Sequence, residues 1–139
     1  MISEGSLTIN DGVVFTITND FVNTDADAFI INDGAQVFQN NEGVVATFNM
    51  NIVNPKGWTS LNKDGWQFIA SPMTNANVIS FMPQSETGYD LFKYDGTKEG
   101  TEWVNYKVHP YEFETTFQQG RAYLASYEAD TTATFKGTL

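Results

Sequence analysis

Apolar and polar residues alternate along most of this chain, and the alternating runs are broken at short intervals by Asn, Asp and Gly. Successive side chains on a strand point to opposite faces, so a period of two marks strands, whereas a helix needs apolar residues every third or fourth position. Residues 13–17, 29–31, 46–52, 66–70, 89–94, 103–108, 111–117, 122–125 and 132–136 all fit period two. Almost nothing fits a helix. Asp64-Gly65, Ser71-Pro72, Asp95-Gly96, Glu99-Gly100 and Gln119-Gly120 supply turn chemistry between the runs. The expected fold is all-β: an antiparallel, jelly-roll-like β-sandwich of at least seven strands. Trp66, Phe68, Leu91, Tyr106, Phe113, Phe117 and Leu124 are its expected core.

Within the first third, Leu7-Thr8-Ile9-Asn10-Asp11-Gly12 recurs as Phe29-Ile30-Ile31-Asn32-Asp33-Gly34, 22 positions later. Asn41-Glu42-Gly43 echoes it. An apolar strand followed by an Asn/Asp-Gly corner at a period near twenty is the pattern of a β-solenoid coil, or of two related hairpins. A short β-solenoid-like part is therefore expected over residues 1–54, packed on an aromatic-rich sandwich body over 55–139, together one domain. The division falls at Asn54-Pro55-Lys56-Gly57, beyond which lie all three Trp and all six Tyr residues. The first copy of the repeat opens almost at once, so a longer multidomain parent chain is expected.

At 139 residues, with 41% hydrophobic content, the chain is long enough to bury a core but too short for two independent folds. Seven basic residues against 17 acidic ones leave a formal net charge of -10. Such a surface repels phosphate backbones and anionic lipid, which argues against nucleic acid and membrane partners. Cysteine is absent, which removes disulfides, thiolate zinc sites and thiol nucleophiles. No apolar run approaches the roughly 18 residues of a membrane span, so membrane insertion is not expected. The first five residues do not read as a signal peptide.

The run Gly65-Trp66-Gln67-Phe68-Ile69-Ala70-Ser71-Pro72-Met73 is followed by Tyr89-Asp90-Leu91-Phe92-Lys93-Tyr94-Asp95, Trp103-Val104-Asn105-Tyr106-Lys107, Gly120-Arg121-Ala122-Tyr123-Leu124-Ala125 and Thr134-Phe135-Lys136-Gly137-Thr138-Leu139. This order resembles a β-rich module of secreted and cell-surface, adhesin-like proteins of Bacteroidetes-type bacteria, placed there after Asn- and Gly-rich solenoid-like stretches. The likeness spans roughly residues 29–139 and departs from the pattern at Ala122, where a second glycine is expected. It implies an extracellular, non-enzymatic module and brings no catalytic residues with it.

Candidate sites are few. His109, the one histidine, has no partner at metal-ligand spacing and reads as a loop residue. Glu112 and Glu114 sit on one face of a strand about 7 Å apart, the minimum equipment of a glycosidase, but read better as solvated charges. Asp20, Asn23, Asp25 and Asp27 bring hard oxygens into one loop, the chemistry calcium prefers, without the glycine and glutamate positions of an EF-hand. They read as turn residues, with structural calcium at Asp20, Asp25 and Asp27 as the alternative.

Flat aromatic rings stack on the C–H faces of sugars, so loop tryptophans are the expected platform for a polysaccharide or surface glycan. Trp58, in a Pro/Gly/Lys loop, is the first candidate. Trp103 is the second, with Asn105 and Tyr106 beside it. The leading expectation is thus a carbohydrate-binding module, and the alternative is a structural spacer or solenoid cap with no ligand site.

Overall fold

The computed structural model describes residues 5–54, 65–81 and 88–139. Their elements are β1 (Leu7–Ile9), β2 (Val14–Thr16), β3 (Phe29–Asn32), β4 (Gln36–Phe38), β5 (Val45–Ile52), β6 (Gln67–Ile69), α1 (Val78–Phe81), β7 (Tyr89–Tyr94), β8 (Trp103–Asn105), β9 (Tyr123–Tyr127) and β10 (Thr131–Thr138). The fold is all-β, with α1 a single turn. Two four-stranded sheets, β1-β3-β5-β10 and β6-β9-β7-β8, share one core, and β2 and β4 form a small third sheet.

The repeat is a stack. β1 pairs parallel with β3, Leu7 opposite Phe29 and Ile9 opposite Ile31, and β2 pairs parallel with β4, Val14 opposite Gln36. Both pairings keep the 22-residue offset, so each Asn-Asp-Gly corner lies over its copy. The corners close alike: Val13 N–H donates to Asn10 C=O at 3.1 Å and Ala35 N–H to Asn32 C=O at 3.0 Å. Gly34 has φ +80°, a left-handed conformation that only glycine adopts without penalty. A Cβ there would lie 1.9 Å from Asp11 Oδ1, because the carboxylate of the first corner rests on the second.

Side-chain amides continue the stack. Asn32 Nδ2 donates to Asn10 Oδ1 at 3.0 Å, Asn49 Nδ2 to Asn32 Oδ1 at 3.0 Å, and Thr134 Oγ1 to Asn49 Oδ1 at 3.2 Å. β3 pairs parallel with β5 at a shorter offset, Ile31 opposite Phe48. β10 then closes the stack by running antiparallel to β5 over eight residue pairs. The C-terminal strand thus belongs to the first sheet. The first sheet is mixed, because coils returning over themselves pair in parallel.

Phe135, on β10, is wholly buried. Its ring lies 4.6 Å from that of Phe81 on α1, 5.2 Å from Phe117 and 6.5 Å from Phe48. Tyr123 and Leu91 close the core from the second sheet, and the buried Tyr127 donates its hydroxyl to Phe81 C=O at 3.2 Å. Burial raises the Tyr127 phenol far above the ordinary tyrosine range.

Of the expected core, Leu91 and Phe117 are buried, and Tyr106 and Phe113 pack half-buried against it. Trp66 and Phe68 are not core residues: they are exposed on the far face of the second sheet, and Leu124 lies half-buried beside Phe68. Alternation shows that Trp66 and Phe68 share a face. It cannot show which face is wet when both carry aromatics.

Nor do residues 111–117 form a strand. Pro110 opens a 3-10 turn over Pro110–Glu112, with Phe113 N–H donating to Pro110 C=O at 3.2 Å. Proline lacks the N–H that a strand ladder needs and presets φ for a turn. Glu112 and Glu114 are correspondingly not solvated charges. Lys98 binds Glu112, while Lys93 and Arg121 bind Glu114 at 3.2 and 3.0 Å.

Candidate functional site

The sheet β6-β9-β7-β8 is two-sided. Tyr89, Leu91, Tyr123, Ala125 and Ile69 face the core. Pairing places the alternate residues together on the other face: Phe68 opposite Leu124, Leu124 opposite Phe92, and Tyr94 opposite Trp103. There the exposed fractions are 38% for Trp66, 69% for Phe68, 51% for Tyr94 and 44% for Trp103.

These rings touch one another. Trp66 meets Phe92 edge-on at 5.6 Å between centroids, Tyr94 meets Trp103 edge-on at 5.3 Å, and Phe68 lies 6.4 Å from Trp103. Edge-to-face contact suits the ring quadrupole and holds each ring without covering it. The contacts form two sets of rings on one sheet face, Trp66 with Phe92 and Phe68 with Trp103 and Tyr94.

Trp103 also lines a cleft of about 550 Å³ with Lys98, Glu102, Asn105, His109 and Glu112. The cleft's charges are held in place. The hydrogen bond between Lys98 and Glu112 raises the lysine and lowers the carboxyl from their ordinary values. Glu102 is lowered by backbone hydrogen bonds, among them that from Gly100 N–H at 3.1 Å. His109 Nδ1 lies 3.1 Å from the Tyr111 hydroxyl and 3.5 Å from Glu112 Oε1.

Beneath the sheet, Lys93 is buried and its ammonium lies over the Phe113 ring at 5.1 Å, while Arg121 donates to Tyr94 C=O at 2.6 Å. Glu114, which takes both cations on Oε1, thereby ties the loop that carries Glu112 to the end of β7.

Among the sequence-derived candidates, Trp103 stands where the aromatic face meets the cleft. Asn105 lines the cleft, but its amide is already engaged: Nδ2 donates to Asp90 Oδ1 at 3.0 Å, and Oδ1 accepts from Lys107 N–H at 2.8 Å. Tyr106 turns away to meet Phe113 edge-on at 5.1 Å and lines a separate, smaller pocket. Trp58 lies outside the described residues.

The three aspartates have different surroundings. Asp25 Oδ1 accepts from Asp27 N–H at 2.9 Å and caps a 3-10 turn, and Asp27 pairs with Lys136 at 2.6 Å. Asp20 lines a cleft with Asn19 and Asn41. Asn23 is buried, and its Nδ2 is shared between Asp25 C=O and Val45 C=O, both at 2.6 Å. Among the described residues no cluster of three His, Asp or Glu side chains is placed to hold a metal.

Sequence reasoning missed Trp66, Phe68, Phe92 and Tyr94 as surface residues. The available signal was that residues 89–94 carry large apolar side chains in both phases of the alternation, which one buried face cannot absorb. No protein-family model, no curated protein and no solved structure matches the chain.

Proposed function

We propose that this protein is a non-catalytic extracellular binding module that takes a polysaccharide or surface glycan across the outer face of the β6-β9-β7-β8 sheet. The observation that carries the reading is the contact series Trp66–Phe92 and Phe68–Trp103–Tyr94, exposed and braced by its own edge contacts. Flat rings of this kind stack on the apolar faces of sugars, and the cleft beside Trp103 offers carboxylates and an ammonium for hydroxyl groups. With a net charge of -10, the module favours a neutral glycan over a polyanion. The resemblance to bacterial surface modules is the ground for reading the module as extracellular and non-catalytic.

Affinity electrophoresis through gels loaded with neutral plant, microbial or host polysaccharides tests the proposal. Retention of the wild type should fall about tenfold or more in Trp103→Ala and in Phe68→Ala, as hot-spot rings do. Neither change should move the unfolding midpoint appreciably. Retention that survives both substitutions places binding elsewhere, Trp58 first, and absence of retention across the panel gives way to the spacer reading.

A further inference from the structure

We infer that the outer edge of β1 and β2 is the docking surface for a further β-solenoid coil, parallel to the first and stacked on it in the same 22-residue register. This inference stands apart from the aromatic face and uses none of its residues.

The first two coils stack without insertion. Leu7, Thr8, Ile9, Val14, Phe15 and Thr16 each pair with the residue 22 positions on. The corners keep the same step, with Asn32 bonded to Asn10 and Asn41 Nδ2 reaching Asn19 C=O at 3.4 Å. A surface that accepts one coil at every strand and corner is complementary to its own repeat, and the first coil presents that surface again on its outer side.

The two ends of the stack differ. One is closed in the first sheet by β10, which pairs along the whole of β5, while β4 is the last described strand of the small sheet on that side. At the other, β1 and β2 end their sheets, and no described strand pairs with their outer sides. The polar ladder is directional, each Asn giving its Nδ2 to the coil before: Asn49 to Asn32, and Asn32 to Asn10. Asn10 begins the described ladder, so an Asn one coil earlier would extend it.

Burial at that end is uneven, Ile9 being as buried as its copy Ile31. Leu7 is half-buried where its copy Phe29 is wholly buried, and Val13 and Val14 are exposed. Exposed sheet edges are usually blunted by Lys, Pro or a bulge. Residues 7–16 contain neither Lys nor Pro.

The occupant is a coil rather than a second copy of the chain. A two-fold axis would set β1 against its mate antiparallel. That arrangement reverses the Asn ladder and abandons the corner-on-corner stacking that holds the first two coils together.

The test is a tandem duplication in the otherwise complete chain, residues 7–28 repeated once ahead of Leu7, beside a control carrying the same 22 residues in scrambled order. If the edge takes a coil, the inserted amides become protected from hydrogen exchange. The urea m-value should then rise by roughly 15% over the scrambled control, in step with the surface exposed on unfolding, and the midpoint should rise with it. Inserted amides that exchange at free-peptide rates overturn the inference. So does an equal rise in the scrambled control, or loss of the native near-ultraviolet signal in the duplicated chain alone.

Discussion

The stacked coils and the aromatic sheet solve the burial problem in opposite ways. In the coils, each strand meets a copy of itself, so apolar residues line the inside, corners lie on corners, and Asn side chains run up the outside as a ladder. The coils' exposed large apolar residues, Val13, Val14, Val22 and Phe38, include a single aromatic ring. The sheet β6-β9-β7-β8 pairs unlike strands antiparallel and carries aromatics on both faces, of which the core covers only one. The lesson is that the same alternation leads to a self-covering stack when it repeats with its corners, and to an open face when it does not.

The largest effect that sharpens this contrast is at Phe135, wholly buried where the two sheets meet. Phe135→Ala should cost about 3–5 kcal/mol, whereas Phe68→Ala, on the open face, should cost under about 1 kcal/mol. Urea unfolding of both variants measures the difference, and equal costs would erase the distinction between the two faces.

Next come the corners. Gly34→Ala must adopt a left-handed φ and place a Cβ on the Asp11 carboxylate, at an expected cost of about 1–3 kcal/mol. Gly12, the first-coil equivalent with φ +74°, has nothing within 4 Å of its Cβ position. Gly12→Ala should therefore show only the backbone cost, at the low end of about 1–2 kcal/mol. If Asp11→Ala recovers none of the Gly34→Ala loss, the corner-on-corner contact does not bear on stability.

The smallest effect is alkaline. Burial lifts the phenol of Tyr127, and to a lesser degree that of Tyr123, above its ordinary value. The unfolded chain then releases these protons first. Stability present below about pH 10, the ordinary tyrosine value, should accordingly decline as the pH rises through and beyond it. Chemical denaturation between pH 9 and 11 checks this, and Tyr127→Phe should flatten the decline. All six tyrosines lie outside the coils, so the slope belongs to the aromatic side of the molecule. A Tyr127→Phe variant with an unchanged slope would place its source elsewhere.

Much of the coil region was legible without coordinates because its information is local. An apolar run followed by Asn-Asp-Gly specifies a strand and its corner, and a second copy 22 residues later fits either a stacked coil or a related hairpin, between which the parallel pairing of β1 with β3 decides. The strand at residues 89–94 and the one near 132–136 were legible for the same reason, as period-two runs between turns. Residues 111–117 misled because two glutamates in strand phase look like a wet face, whereas the cations that hold them, Lys93, Lys98 and Arg121, are distant in sequence. Of the candidate site, Trp103 was found through its polar turn. Phe68 and Trp66 were missed because a hydrophobic run carries no mark of which side will be covered.

By itself, then, the sequence determined the all-β class, many of the turns between its strands and the 22-residue spacing of the repeat, since each depends on residues close along the chain whose backbone preferences act before any packing. Tertiary structure decided the rest. It placed β10 against β5, with Thr134 bonded to Asn49 across 85 residues. It also chose the inner face of the aromatic sheet by which of two similar faces met Phe81, Phe117 and Phe135. Burial is a property of the partner as much as of the strand, and that is why the exposed aromatic face emerges only when both sheets are in place.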